Sequence, residues 1–229
     1  MGRASGLILA ALAVGGGVKQ NPAPPDFHLP PGMKLLYADD FEDRRAARWE
    51  PRAESQWEVA FDQDSWAYHL KRPGRQGKVR APTGRALLKG VEVGDFVLTV
   101  RARCLTPPGP SGRDVCIFFG YRDETHFYYV HFSGLSDRVH NAIHIVNGRD
   151  RTPIHREAKP IARLQDQAYH WLKVERNVRR GEIRAYIDDL ETPILTAKDR
   201  TFLKGRVGLG SFDDLAYFDD FRLYVPGDG

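Results

Sequence analysis

Two cysteines, two methionines and no long apolar run set the first limits on this chain of 229 residues. It has no Cys-x-x-Cys pair and no His-Glu-x-x-His helix, which excludes the usual zinc knuckles and helix-borne zinc proteases. Charge of one sign is missing too. The 34 basic and 30 acidic residues leave a net of +4, dispersed along the chain, so there is no electrostatic footprint for nucleic acid. Long helical periodicity is absent. In its place, 22 glycines and 15 prolines punctuate short alternating runs, the composition of many short strands joined by turns.

The apolar stretch between Arg3 and Lys19 is too short for a permanent membrane helix. A basic start, the run GLILAALAV and the small residues Gly15 to Gly17 read instead as a secretory signal over residues 1–17. A proline-rich leader follows over 18–32, and a folded domain is expected over 33–226. This predicts a periplasmic or extracellular protein, with no stable membrane span once the signal is cleaved.

Past the leader, segments such as KLLYADDF, QWEVAF, SWAYHL, DFVLTVRARC, DVCIFFGY, HFYYVHF, EIRAYID and YFDDFRLYV alternate with period two. Their frequency predicts an all-β fold, a two-sheet antiparallel jelly-roll sandwich. One short helix is expected in DDFEDRRAARW. Two readings of the cysteines stand. Cys104 and Cys116 face each other across a hairpin centred near residue 110 and form a disulfide, or they are two small buried hydrophobes.

Five of the eight histidines fall in residues 126–155, beside Asp137, Asn141, Arg149, Asp150 and Arg151. In FYYVHF, alternation sets Tyr128, Val130 and Phe132 on one face and Phe127, Tyr129 and His131 on the other. In NAIHIV, His144 points away from Ile143 and Ile145. Histidine is the side chain suited to proton transfer near neutral pH. His131 and His144 are therefore the strand candidates for catalysis, with Asp137, His140 and Arg151 at the rim. Tyr129, Asn141 and Tyr186 are the candidates for substrate contact, with Trp66 a further stacking ring. His131, Asp137, His140 and His144 match no standard metal spacing, so no metal ligand is assigned. Calcium is left open at Asp39–Asp40 and Asp219–Asp220, against turn and bulge chemistry at the same positions.

The order of motifs carries a resemblance. LLYADDFED…RWE, FFGYRDETHFYYVHFSG, HWLKVERNVRRGEIRAYIDDLETPILTAKDRTFLKGRVGLGSF and YFDDFRLYV resemble the concanavalin A-like lectin/glucanase fold. Within it, the chain resembles the 3-keto-disaccharide hydrolase-like domain family over about residues 34–225. The resemblance implies a carbohydrate partner and a glycoside hydrolase-like activity on glycans or keto-glycosides. The endoglucanases of this scaffold carry a Glu-x-Asp-x-x-Glu strand, and here no glutamate is followed by aspartate at the second position. That departure moves the expected chemistry to a base next to an acidified C–H bond. A glycan-binding, lectin-like module is the alternative.

Overall fold

The computed structural model describes residues 25–109, 113–156 and 164–227. The expected signal segment and the leader as far as residue 24 lie outside the described residues. The strands are β1 (Met33–Asp39), β2 (Trp49–Pro51), β3 (Trp57–Asp62), β4 (Ser65–Leu70), β5 (Gly84–Leu88), β6 (Phe96–Cys104), β7 (Asp114–Asp123) and β8 (His126–Ser133). They continue as β9 (Ala142–Asn147), β10 (Thr152–Pro153), β11 (His155–Arg156), β12 (His170–Asn177), β13 (Glu182–Ile187), β14 (Leu195–Lys198), β15 (Arg206–Ser211) and β16 (Ala216–Pro226). A single 3-10 turn at Glu54–Gln56 is the only helical element among the described residues. The short helix expected in DDFEDRRAARW is replaced by turns, because Asp39, Asp40 and Asp43 each accept a backbone N–H two residues on.

Two antiparallel sheets make a jelly-roll sandwich. One runs β11-β14-β13-β12-β6-β16-β4-β3, with β1 also paired to β16, and the other runs β10-β9-β8-β7-β15-β5-β2. Alternation decides which side chains meet between them. Phe96, Leu98, Val100, Ala102 and Cys104 of β6 face Val115, Ile117, Phe119, Tyr128, Val130 and Phe132 of β7 and β8 in one buried core. Leu172, Val174, Ile183, Ala185 and Ile187 extend it along the β12–β13 hairpin. Each of the Val, Leu, Ile and Phe side chains among them contributes about 1.5–3 kcal/mol by leaving water.

The seven-stranded sheet is covered on its second face as well. Cys116, Phe118, Phe127, Tyr129 and Val146 pack there under Val79 and Ala81. Those two come from the irregular connection between β4 and β5, which Gly74 and Asp150 help hold in place: the Gly74 N–H donates to Thr83 and the Arg80 N–H to Asp150.

Strands β6 and β7 do not form the expected hairpin. They belong to different sheets, and the chain crosses between the two layers after residue 104. Cys104 therefore enters the central core, whereas Cys116 points out of the opposite sheet. Both are free thiols, and the disulfide reading fails because their side chains lie on different layers. No helix of the described residues is long and apolar enough to cross a membrane.

Candidate functional site

The histidine-bearing face is built by register. On β7 and β8, Cys116 pairs with His131, and on β8 and β9, Tyr129 pairs with His144. Alternation along β7 then brings Asp114 to the same face. The Nδ1–H of His131 donates to the Val139 carbonyl at 2.9 Å, since a carbonyl only accepts. Its Nε2 lies 3.1 Å from Asp114 Oδ2. Asp114 Oδ1 accepts from the Ser211 hydroxyl and the Phe212 N–H, each at 2.8 Å. Burial pushes the Asp114 carboxyl up, and the charge of His131 together with these donors outweighs it, so the group stays ionised below its ordinary value.

The segment between β8 and β9 folds over the strand end. Asp137 Oδ1 accepts the N–H groups of Val139 at 2.8 Å and His140 at 2.9 Å, and its Oδ2 holds His140 Nδ1 at 2.8 Å. Slight burial raises the Asp137 carboxyl, but these bonds bring it down to about 2. Asn141 takes a left-handed φ of 50° and accepts the Ser133 N–H at 2.8 Å, closing the segment. Arg151 reaches in from the other side. Its guanidinium sits 4.4 Å over the Phe212 ring and 3.4 Å from the Tyr129 hydroxyl.

The structure thus gathers His131, His140, His144, Tyr129 and Arg151, with Asp137 and Asn141 shaping the cover. The rings of Tyr129 and His144 stack at 4.8 Å, and His131 stands 5.5 Å from His140 and 6.0 Å from His144. It also encloses three of them, while His140 and Arg151 are only partly buried. His131 is 2 % exposed, and Tyr129 and His144 are 0 % exposed. In this geometry neither His131 nitrogen is open to a substrate. His144 has no hydrogen-bond partner on either nitrogen. Burial first, then the charges of His131 and Arg151, hold its imidazole neutral, down to about 2.

Tyr186 is elsewhere. It lies on β13 of the other sheet, donating to Glu175 at 2.8 Å under the Lys173 ammonium. Trp66 is on β4, beneath the Arg44 guanidinium. The three rings expected to stack on sugar form no common platform.

Strands β1 and β16 do pair, but the carboxylates considered for calcium are already engaged. Asp219 accepts from Arg101 at 2.6 Å and Ser65 at 2.7 Å, and Asp39 accepts from Tyr37 and Trp49. A bulge separates Asp219 from Arg222, with Asp220 at φ 51°. Arg101 supplies the cation there.

Sequence reasoning missed Asp114, Phe212, Asp213 and Asp214. Asp114 was findable, since it shares the alternation of Cys116 and Phe118. Asp213 and Asp214 follow β15 in a turn that has no periodic signal. Burial, then the Asp114 charge, raises the Asp214 carboxyl to about 6.

No family model matches the chain, and no curated protein does. Solved structures match in fold. The carbohydrate-binding module CBM66 from Bacillus subtilis aligns at 17% identity and TM-score 0.56, over 78% of this chain and 96% of that one. Domain 4 of AbnA, a GH43 extracellular arabinanase from Geobacillus stearothermophilus in complex with arabinotriose, aligns at 10% identity and TM-score 0.54, over 85% and 94%. The GH16 endo-β-1,3(4)-glucanase SCLam aligns at 12% identity and TM-score 0.51, over 87% and 94%. At these identities the likeness establishes the jelly-roll fold, which hosts binding modules and hydrolases alike.

Proposed function

We propose that this chain is an exported carbohydrate-binding domain that takes an acidic glycan at an open basin beside Arg151. Lys78, Val79 and Gly148 to Thr152 line that basin, with cations at Lys78, Arg149 and Arg151 against one carboxylate, Asp150. Asp150 is itself tied to the Arg80 N–H at 2.8 Å. The observation that carries the reading is the contrast between the two halves of the face. The strand histidines His131 and His144 are enclosed, whereas the guanidinium and ammonium groups at the rim can meet a ligand. A planar guanidinium suits the carboxylate of a uronic acid. The carbohydrate-binding module and the arabinotriose-bound domain of the same fold support the same class.

One arrangement favours hydrolysis: the carboxyl groups of Asp114, Asp213 and Asp214 gather within 4.8 Å of one another. Asp114 and Asp214 are buried and hydrogen-bonded, so only Asp213 is free to face a glycosidic bond. Paired-carboxylate hydrolysis needs two. The deciding experiment is a glycan panel containing uronate oligosaccharides and 3-keto glycosides, followed for both binding and product release. We expect uronate binding without turnover, weakened about tenfold in Arg151→Ala, the loss of a charge-assisted contact. Steady product release from any panel member overturns the binding reading.

A further inference from the structure

The dispersal of charge along the chain has one exception. Residues 71–91 hold seven of the 34 basic residues and none of the 30 acidic ones, so the rest of the chain is net acidic. We propose, on the basis of the acidic-glycan reading, that this run, joined by Arg149 and Arg151, is a landing surface for a linear polyuronate, a glycan with a carboxylate on successive sugars. That widens the ligand from one acid at the basin to a chain that continues beyond it.

The fold turns the run into a surface. Between Lys71 and Thr83 the chain is irregular, and it is drawn together where the Gly74 N–H donates to the Thr83 hydroxyl at 3.0 Å. Val79 and Ala81 pack down onto the seven-stranded sheet, whereas Arg72, Arg75, Lys78 and Arg80 are exposed. Two further bonds fix the backbone that carries those charges. The Arg52 guanidinium donates to the Arg75 carbonyl and the Arg151 N–H to the Arg80 carbonyl, each at 3.0 Å. The second sets Arg80 beside Arg151, and their guanidinium groups lie over the Phe212 ring at 5.3 and 4.4 Å.

Counter-charge is scarce there. Lys71 and Arg85 pair with Glu58 and Glu124. Among the described residues, Arg72, Arg75, Lys78, Arg80, Arg149 and Arg151 make no ion pair. Asp150 accepts the Arg80 N–H, and Asp213 lies within the field of Arg80 and Arg151. Like charges gathered on one surface repel one another, and an incoming anion relieves that repulsion. A single carboxylate cannot face all six cations, whereas a chain of repeated carboxylates can. Five of the six are guanidinium groups, which meet a carboxylate with paired N–H donors. Nucleic acid fits less well, because residues 71–91 carry no aromatic side chain on which a base could stack.

The test is calorimetry on the full chain with uronate oligomers from dimer to octamer. Exposed charge pairs are each worth about two- to fivefold in affinity. The octamer should therefore bind about thirtyfold more tightly than the dimer, and added salt should weaken the octamer more. Arg72 and Arg75 lie outside the basin. Arg72→Gln combined with Arg75→Gln, both at exposed positions, should weaken the octamer about tenfold. Dimer binding and the melting temperature should stay at the parent values. An octamer no tighter than the dimer, or indifferent to the paired substitution, overturns the polyuronate surface and leaves the basin standing. A dimer that fails to bind, beside an octamer that binds and responds to the substitutions, overturns the basin alone. Failure of both overturns both. A sulfated glycan or a single-stranded DNA of equal charge that binds as tightly as the octamer also refutes the polyuronate assignment.

Discussion

Removing both nitrogens of His144 from water without a partner costs about 1–3 kcal/mol per unsatisfied group, so the ring is kept for its shape, stacked on Tyr129, or for a ligand. His144→Phe keeps an aromatic ring in the stack and removes both unpaired atoms. The expected outcome is a protein as stable as the parent or about 1 kcal/mol more so, measured by urea unfolding. A loss of more than that would show that the imidazole has a partner in solution. Asp219 is the opposite case. It is fully buried and carries the short ion pair to Arg101, whose guanidinium also stacks on Tyr169. Asp219→Ala leaves that guanidinium buried with only the longer 3.5 Å contact to Asp220. The expected destabilisation is on the order of 3 kcal/mol, and a melting temperature equal to the parent's would refute it.

At the scale of elements, the join between β12 and the turn after β13 is pH-sensitive. His170 bonds Asp188 at 2.8 Å and Asp166 at 3.2 Å. The hydrogen bond to Asp188 raises its pKa, more than burial lowers it. A raised histidine stabilises fully below its unfolded value, near 6.5, and that stabilisation is lost as pH rises through the folded value. Unfolding free energies at pH 6 and pH 8 should therefore differ more in the parent than in His170→Asn, and equal differences would remove His170 as the cause.

Strands such as EIRAYID and HFYYVHF were legible because alternation follows from the pleat itself, and it placed Leu172, Val174, Ile183, Ala185 and Ile187 inside. What alternation cannot state is which sheet a strand joins. That is why β6 and β7 read as a hairpin, and why Tyr186 stands with Tyr129 among the candidates for substrate contact. Nor does it reveal a cover. His131 points outward from its sheet as expected, yet Val79 and Ala81 arrive over that face from an irregular segment with no period to betray it.

For the whole molecule, two thiols on separate layers mean that redox conditions should not matter to the folded state. Cys104 and Cys116 are free and buried, and burial raises both thiols, that of Cys104 to about 11. The melting temperature should be the same with and without dithiothreitol, and alkylation should wait for unfolding. A shift of several degrees on reduction would mean that the two sulfurs are joined. The same layering bears on how glycine is used. A Cβ at Gly210 would collide with the Gly84 carbonyl where β15 runs between β5 and β7, so the RVGLGS motif marks a strand pressed against its neighbour.

Strand β16 pairs with β1, β4 and β6, and the ribosome makes it after all three. Until it emerges, β6 has β12 but no second neighbour, and β1 has no strand to pair with. The nascent chain must therefore carry unpaired edges through most of its synthesis, the condition under which strands find wrong partners. The seven-stranded sheet needs nothing later than β15 and can assemble first. Folding in the order of translation would then build the histidine-bearing layer before the layer that backs it.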